Sequence, residues 1–350
     1  MQHLYKIEVF DRAYRYKDMA LSSELEIQSD YLTLENTTIK LPELAASKGD
    51  FVHITDFRGR VVHQGIILDT ASSGAISTLK VAPLLSLLDV QVQYDRSIFN
   101  LLPLENCIAQ IIRDTYIQNK DSLQNIEGLM VQAKTSTEGT KLDIRSDIHA
   151  FWDIITKALT LHDIVVQARL DPQGKSLLFT VGRIEEMSVL EADLGNCLSQ
   201  NFVLTDEYGT LNKMIFVNKD KPSETATYYL HPDGSINRSN TDRITPVFFW
   251  AEYVQGAENF LSEAYSRAYE QMRPEKYRQC IELSYREEDK MIEPGTLGIG
   301  RKVEIHHGKK KYLSVLTGYR QSGGIITLTF GCIRLELTKK LILARRAEGK

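Results

Sequence analysis

The stretch GIITLTFGCIRLELTKKL, residues Gly324–Leu341, decides the fold because its apolar side chains change phase within it. They occupy even positions up to Phe330 and odd positions from Ile333 onward. Successive residues of a strand face opposite sides of a sheet, so this phase change predicts two strands, or one strand bent by an extra residue at Gly331. We therefore expect a bent or broken β element near the end of the chain.

Length and composition narrow the class of protein. A chain of 350 residues is too long for one ordinary core and predicts roughly two to four domains. Its 43% hydrophobic and 25% charged content is typical of a folded soluble protein, and its net charge of −4 argues against wholesale binding of nucleic acid. The four cysteines lack CxxC spacing, which predicts free thiols and synthesis in the cytoplasm. No signal peptide or membrane-spanning run is recognisable, so no membrane anchor is expected.

Patterning along the chain predicts four regions. Residues 1–96 consist of short alternating segments with Gly-bearing turns, typical of a small β-barrel domain. Residues 97–198 combine two helical stripes with strands around the turn DPQGK, which indicates an α+β domain. Residues 199–255 form a hairpin-rich, antiparallel segment, and residues 256–350 begin with a helix and continue as a second β-barrel domain. The expected fold class is α+β, mainly β.

Three helices are predicted, and each carries one apolar stripe. The stripes are Leu104, Ile108, Ile111, Ile112 and Tyr116; Ile148, Phe151, Trp152, Ile155 and Leu159; and Phe260, Leu261, Ala264, Ala268 and Met272.

An internal repeat connects the two ends of the chain. GDFVHI at Gly49 aligns with GRKVEI at Gly300, and SSGAISTLKV at Ser72 aligns with QSGGIITLTF at Gln321. The offset changes from 251 to 249 across a basic turn, FRGR in one copy and HGKKK in the other, which a two-residue difference in one hairpin loop explains. We interpret the pattern as a duplicated β domain; the alternative is two unrelated hairpins that share glycine turns.

Catalytic signatures are missing from the sequence. There is no GxSxG, HExxH or Walker loop, and no GxGxxG between a strand and a helix. The remaining candidate groups are isolated or belong to charged runs: the adjacent His306 and His307, His149 and His162 near the ends of one helix, Cys107 among helix core residues, and the acidic clusters REEDK at Arg286 and RIEEM at Arg183. We therefore expect no catalytic residues, no cofactor-binding or metal-ligating residues, no cofactor and no enzyme activity.

The C-terminal string SVLTGYRQSGGIITLTFGCIRLELTKKL, residues 314–341, resembles the end of the tail-tip baseplate-hub proteins of long-tailed bacteriophages and prophages. The DGSI hairpin, the FLSEAYSRAYEQM helix and MIEPGTLGIGRKVEI occur in the order typical of that family. The resemblance is most specific over residues 255–343 and rests on element order before them.

The resemblance implies a structural role. Hubs of this kind are homotrimers in which two similar tail-tube-like β-barrels per chain form a pseudo-sixfold ring at the virion tail tip. The partners implied are the hexameric distal tail or tail-tube protein, the tape-measure protein and receptor-binding proteins, with genomic DNA only in transit through the lumen. The duplication is the trace in the sequence that such a geometry requires.

Two alternatives remain open at this level. Tyr228, Tyr229, Phe248, Phe249 and Trp250 could stack on sugars in a receptor- or carbohydrate-binding tail component, although aromatic residues at such positions are more commonly strand core. Many members of the family continue into a peptidoglycan-cleaving module, so the chain could also be the non-catalytic N-terminal part of a tail-associated hydrolase.

Overall fold

The structure is a computed structural model that describes residues 4–23, 25–95, 97–138, 140, 142, 147–184, 187–193, 195–204, 211–245, 247, 249–254, 259–272, 276–286 and 298–332. Strands dominate this part of the chain, and the expected α+β, mainly β class is confirmed.

The elements are numbered in chain order. The strands are β1 Tyr5–Phe10, β2 Tyr16–Ser22, β3 Ile27–Asp30, β4 Thr37–Pro42, β5 Phe51–Asp56, β6 Val61–Ser73, β7 Ile76–Pro83, β8 Gln91–Gln93, β9 Leu129–Ala133, β10 Ile148–Ala150, β11 Ile164–Asp171, β12 Ser176–Arg183, β13 Met187–Glu191, β14 Cys197–Leu204, β15 Lys213–Asn218, β16 Thr225–Leu230, β17 Ile236–Asn237, β18 Phe249–Val254, β19 Gln279–Arg286, β20 Lys302–His307, β21 Lys310–Ser322 and β22 Ile325–Phe330. The helices are α1 Ile98–Leu101, α2 Leu104–Tyr116, α3 Phe151–His162 and α4 Phe260–Met272.

The N-terminal strands form one six-stranded sheet in the order β2-β1-β5-β6-β7-β4, antiparallel throughout. Alternate residues such as Ile7, Ile54 and Leu79 are fully buried and form its core. The sheet curls and brings its two edge strands together: the amide of Ala45, just beyond β4, donates a 2.9 Å hydrogen bond to Oδ2 of Asp18 on β2. The result is a half-barrel whose edges approach each other; full closure into a barrel stays a prediction.

The internal repeat corresponds to a repeated three-stranded unit. β20 begins at residue 302 and β5 at 51, an offset of 251, whereas β21 and β22 begin 249 residues after β6 and β7. The change of offset falls in the hairpin loop, as the two-residue difference predicts. Gly49 and Gly300 lead into the two copies, with φ of +90° and +86°. The amide of Gly49 donates a 2.7 Å bond to the carbonyl of Ile67, and the amide of Gly300 donates a 2.7 Å bond to the equivalent carbonyl, that of Leu316.

A β-bulge recurs at the same place in both copies. The register between β6 and β7 shifts between Ile67 and Asp69, and that between β21 and β22 shifts between Leu316 and Gly318, again 249 residues apart. A bulge increases the local twist of its strand, so the two copies bend at the same point.

The C-terminal strands form a second sheet in the order β13-β20-β21-β22-β19-β14, and β3 from the N-terminal region also pairs with β21. Its core includes Leu283, Ile305 and Phe330. Tyr319 on β21 packs against the cores of both sheets, and its hydroxyl donates a 2.7 Å bond to the carbonyl of Val62. The two copies of the repeat therefore lie side by side.

The stretch that changes phase ends its strand at Phe330. Gly331 follows with φ +91°, and a Cβ added there would lie 1.8 Å from the carbonyl oxygen of Gln279. Ile333–Leu341, on which the second half of the phase argument depended, lies outside the described residues.

The predicted α+β region contains helices α2 and α3 beside a three-stranded sheet in the order β11-β12-β9. The buried stripes of both helices are confirmed at all but two of the predicted positions: Tyr116 is only partly buried, and Ile148 is an exposed residue of β10, before the helix begins.

Residues 141–146 and 205–276 form a compact unit separate from the rest of the chain. Its sheet has the order β17-β16-β15-β18 and is not antiparallel throughout, because β15 and β18 run parallel. Helix α4, which the boundary at residue 256 assigned to the C-terminal domain, packs on this sheet through Phe260, Ala264, Ala268 and Met272, while Leu261 is exposed. The predicted domain boundaries themselves stay predictions.

Candidate assembly surfaces

Edge strands of the two large sheets carry exposed apolar side chains. They are Tyr16, Met19 and Leu21 on β2, Met187 and Val189 on β13, and Leu198 on β14. An edge strand presents unpaired backbone groups, and exposed apolar residues beside them favour association with another chain. These edges are the first candidate surface for assembly.

The junction of β13 and β20 holds the adjacent histidines that the sequence singled out. His306 bridges two carboxylates, with Nδ1 2.6 Å from Oε1 of Glu191 and Nε2 2.6 Å from Oε1 of Glu304. The hydrogen bond with Glu304 raises the pKa of His306, and the bond with Glu191 adds to it. Nδ1 of His307 lies 2.6 Å from Oδ1 of Asp193, beyond the end of β13. Both histidines thus hold an edge strand in place.

The other candidate groups lie apart from one another. His149 is buried on β10, with its ring at 80° to that of Phe99. His162 is in the last turn of α3, and Cys107 is buried on α2, where desolvation raises the pKa of its thiol to about 12. Arg183 ends β12 and Arg286 ends β19, but their neighbours in the acidic clusters, residues 185–186 and 287–290, lie outside the described residues.

Among the described residues, no group of three or more histidines, cysteines and carboxylates is arranged to hold a metal ion. The same residues include no helix that is both long and apolar enough to cross a membrane.

A cleft of about 620 Å³ opens between the first sheet, the sheet of β11 and β12, and β21. Its lining includes Asp30, Lys134, Arg169 and the buried His63. Burial lowers the pKa of His63 to about 4, and its Nε2 has no hydrogen-bond partner among the described residues. Sequence reasoning missed His63, because alternation on β6 marks the position as inward-facing without revealing that its Nε2 is buried.

The separate unit exposes aromatic side chains on β18. Phe249, Trp250 and Tyr253 are 64%, 61% and 67% exposed, so the expectation that Phe249 and Trp250 belong to a strand core was wrong. Lys213 lies over the rings of both Tyr229 and Phe249, 5.8 and 5.7 Å from their centroids.

Tyr228 lies on β16, which β15 separates from β18, and is buried against α4 as expected for strand core. Its hydroxyl donates a 3.2 Å bond to the carbonyl of Leu261. Phe248 lies outside the described residues. The aromatic residues of these two segments therefore divide between core and surface.

No protein-family model matches the chain, and no curated protein matches it. Solved structures do match in fold. A chain of the phage P2 baseplate in its activated conformation with Ca aligns over 93% of this chain and 98% of its own, with a TM-score of 0.51 and 11% identity. The 43 kDa tail protein of prophage MuSo2 from Shewanella oneidensis covers 93% and 97%, with a TM-score of 0.51 and 11% identity. The prophage tail protein gp18 from Listeria monocytogenes EGD-e covers 98% of both chains, with a TM-score of 0.50 and 12% identity.

The similar structures are thus baseplate and tail proteins of phages and prophages, and the likeness spans nearly the whole chain. At 11–12% identity it concerns the fold.

Proposed function

We propose that the chain is a structural, non-enzymatic component of a phage or prophage tail tip, a baseplate hub in the virion. The single observation that carries this proposal is the repeated three-stranded unit with its bulge at the same position in both copies. The fold shared with baseplate and tail proteins supports it.

Two similar modules per chain suit a trimeric ring with pseudo-sixfold symmetry. Closed assembly around an axis needs matching surfaces at each step, and a chain with two equivalent modules supplies six such steps in three copies. In this role the ring joins a hexameric tail-tube or distal tail protein to the tip, accommodates the tape-measure protein, carries receptor-binding proteins and lets DNA pass without holding it.

Negative-stain microscopy of the purified chain, alone and with a tail-tube hexamer, tests the ring. We expect end-on views with three- or sixfold symmetry, and light scattering that gives three chains per particle. A monomer at all accessible concentrations, with no particle formed on addition of the hexamer, would contradict the proposal.

A second candidate function, recognition of a surface carbohydrate, is favoured by the exposed Phe249, Trp250 and Tyr253. Planar aromatic faces stack on the apolar faces of sugars, and Tyr229 and Lys213 extend the surface. Binding to host wall polysaccharide that is lost in a folded Trp250→Ala protein would support it. Equal binding by wild type and by a Leu261→Ala control, exposed on α4, would show that the loss is specific to the aromatic surface.

A further inference from the structure

The two copies of the repeat differ in what covers their longest strand. On β21, Gly318–Gln321 pairs with β3, and between Thr317 and Ser322 only Arg320 is exposed. The equivalent half of β6, Leu68–Ser73, is exposed at every residue. We call Leu68–Ser73 the open half of β6.

Within the described residues, no strand pairs with the side of the open half that faces away from β7. In the covered copy, the amide of Tyr31 donates a 2.7 Å bond to the carbonyl of Thr317, next to the pair Gly318–Asp30. In an antiparallel ladder, the next pair, Tyr319 with Ser29, therefore exchanges both backbone bonds. Thr70 is the residue of the first copy equivalent to Tyr319, because it lies 249 positions earlier and follows the bulge of β6 as Tyr319 follows that of β21. Its N–H and C=O thus point away from β7.

A local contact agrees with this direction. The amide of Thr70 donates a 2.9 Å bond to Oδ1 of Asp69, an exposed side chain, and not to the neighbouring strand. A bond to an adjacent exposed carboxylate is easily exchanged for a carbonyl of an incoming strand.

By its place in the chain, β14 is the counterpart of β3 in the second copy. In the first copy, β3 precedes β4, and β4 pairs with β7. In the second copy, β14 is the strand of the sheet that precedes β19, and β19 pairs with β22. The β4–β7 and β19–β22 ladders have the same register: Pro42 pairs with Ile76, and Arg286 pairs with Ile325, the residue equivalent to Ile76. β14 ends its sheet, and residues 198–201 are exposed.

We propose that the open half of β6 pairs antiparallel with the outer edge of β14 from a second copy of this chain. The contact repeats between chains the pairing that β3 and β21 make within one chain. It rests on the ring assembly proposed above and names the strands that close it.

The composition of both edges fits this contact. Natural edge strands are commonly protected by lysine or proline, as β4 is by Lys40 and Pro42, but neither occurs in the open half of β6 or in β14. Asp69 is the one charged residue of the two edges, so no like charges oppose each other. Each chain has one edge of each kind, and such head-to-tail contacts generate a ring when the rotation closes.

The test is Thr70→Pro in the full-length chain. Proline removes the N–H that faces the open edge and spares the ladder to β7, so the chain is expected to keep its circular-dichroism spectrum and to associate at least about tenfold more weakly. Thr70→Ala, which keeps the N–H, is the matched control and is expected to assemble as wild type does. Light scattering over a concentration series measures both.

Hydrogen exchange of the wild-type chain provides a second measurement that does not depend on the folding of a variant. Peptides covering Leu68–Ser73 and Cys197–Leu204 are expected to exchange more slowly in the assembled than in the dilute state. Assembly of Thr70→Pro with wild-type affinity, or exchange at these two peptides that is unchanged on assembly, would overturn the strand pairing while leaving the ring in place. A wild-type chain that never assembles would overturn both proposals.

Discussion

At the scale of single residues, two separate constraints require glycine at Gly331: its backbone conformation and the lack of space for a Cβ. Its φ of +91° lies in a region that side chains avoid, and the Gln279 carbonyl occupies the space that a Cβ would need. Its amide and carbonyl are both used, the former donating to Val315 and the latter accepting from Oγ1 of Thr317 at 2.6 Å. Gly331 thus sets where β22 ends.

We expect Gly331→Ala to lower the free energy of unfolding by at least about 3 kcal/mol, because it adds a backbone clash to left-handed strain. Gly323→Ala is the matched control: φ is +58° there, but nothing lies within 4 Å of the added Cβ, so about 1–2 kcal/mol is expected. Urea denaturation of the two variants measures the difference. Equal losses would show that the close approach to Gln279 contributes nothing.

His63 makes stability depend on pH. Its pKa is about 4 in the folded chain and near 6.5 when unfolded, so below pH 6.5 the unfolded state takes up a proton that the folded state does not. Stability therefore falls as the pH is lowered from about 6.5 to 4, by on the order of 2 kcal/mol at pH 5.

Urea midpoints of wild type and His63→Leu at pH 8 and pH 5 test this. The wild type is expected to lose more stability than the variant on acidification, while other titrating groups affect both alike. An identical loss in the two proteins would show that His63 is not buried as a neutral group.

At the scale of elements, side-chain contacts add to the backbone pairing that holds β13. It is an edge strand that pairs in parallel with β20, and His306 connects Glu191 on one strand to Glu304 on the other. The raised pKa of His306 means that its contribution is complete below its unfolded pKa and is lost as the pH rises through the folded value.

Hydrogen exchange of the Met187–Glu191 peptide, corrected for intrinsic rates, is therefore expected to accelerate between pH 6 and pH 8.5. His306→Gln is expected to remove this acceleration, and the β9 peptide of the same protein serves as an internal reference. Acceleration that persists in the variant would assign the pH dependence to another group.

The helices show how far helical periodicity in the sequence predicts which side chains are buried. A period of 3.6 correctly selects Phe260, Ala264, Ala268 and Met272 as the buried stripe of α4, but it also admits Leu261 at the margin of the stripe, where the sheet no longer covers it. Trp250 fails for a similar reason: strand patterning cannot tell whether a sheet face or edge has a covering layer.

At the scale of the whole molecule, the separate unit is inserted at the end of a strand pair. β14 ends at Leu204, which pairs with Gln279, so the chain leaves and re-enters the second sheet at neighbouring positions. Insertions at the tip of such a pair leave the host fold largely undisturbed.

We expect a chain in which residues 205–276 are replaced by a short Gly-containing linker to stay folded and to assemble as the intact chain does. Keeping Tyr277 is essential, because its hydroxyl donates a 2.6 Å bond to the buried Asp163. Circular dichroism and light scattering measure the outcome. Loss of assembly in a folded deletion variant would place part of the assembly surface on the inserted unit.

The sequence by itself determined the β-rich class, the helix positions, and the repeat with its change of offset from 251 to 249, because alternation, helical period and glycine turns are local properties. Only the tertiary structure decided that β3 crosses to β21, that the bulges coincide, and that no strand of the described residues pairs with the open half of β6 on the side away from β7. Pairing between residues nearly 300 positions apart depends on which edges meet in space, and local patterning does not encode that choice. The same physics hides which polar atoms are buried without a hydrogen-bond partner, as Nε2 of His63 is among the described residues, since burial is a property of the assembled core.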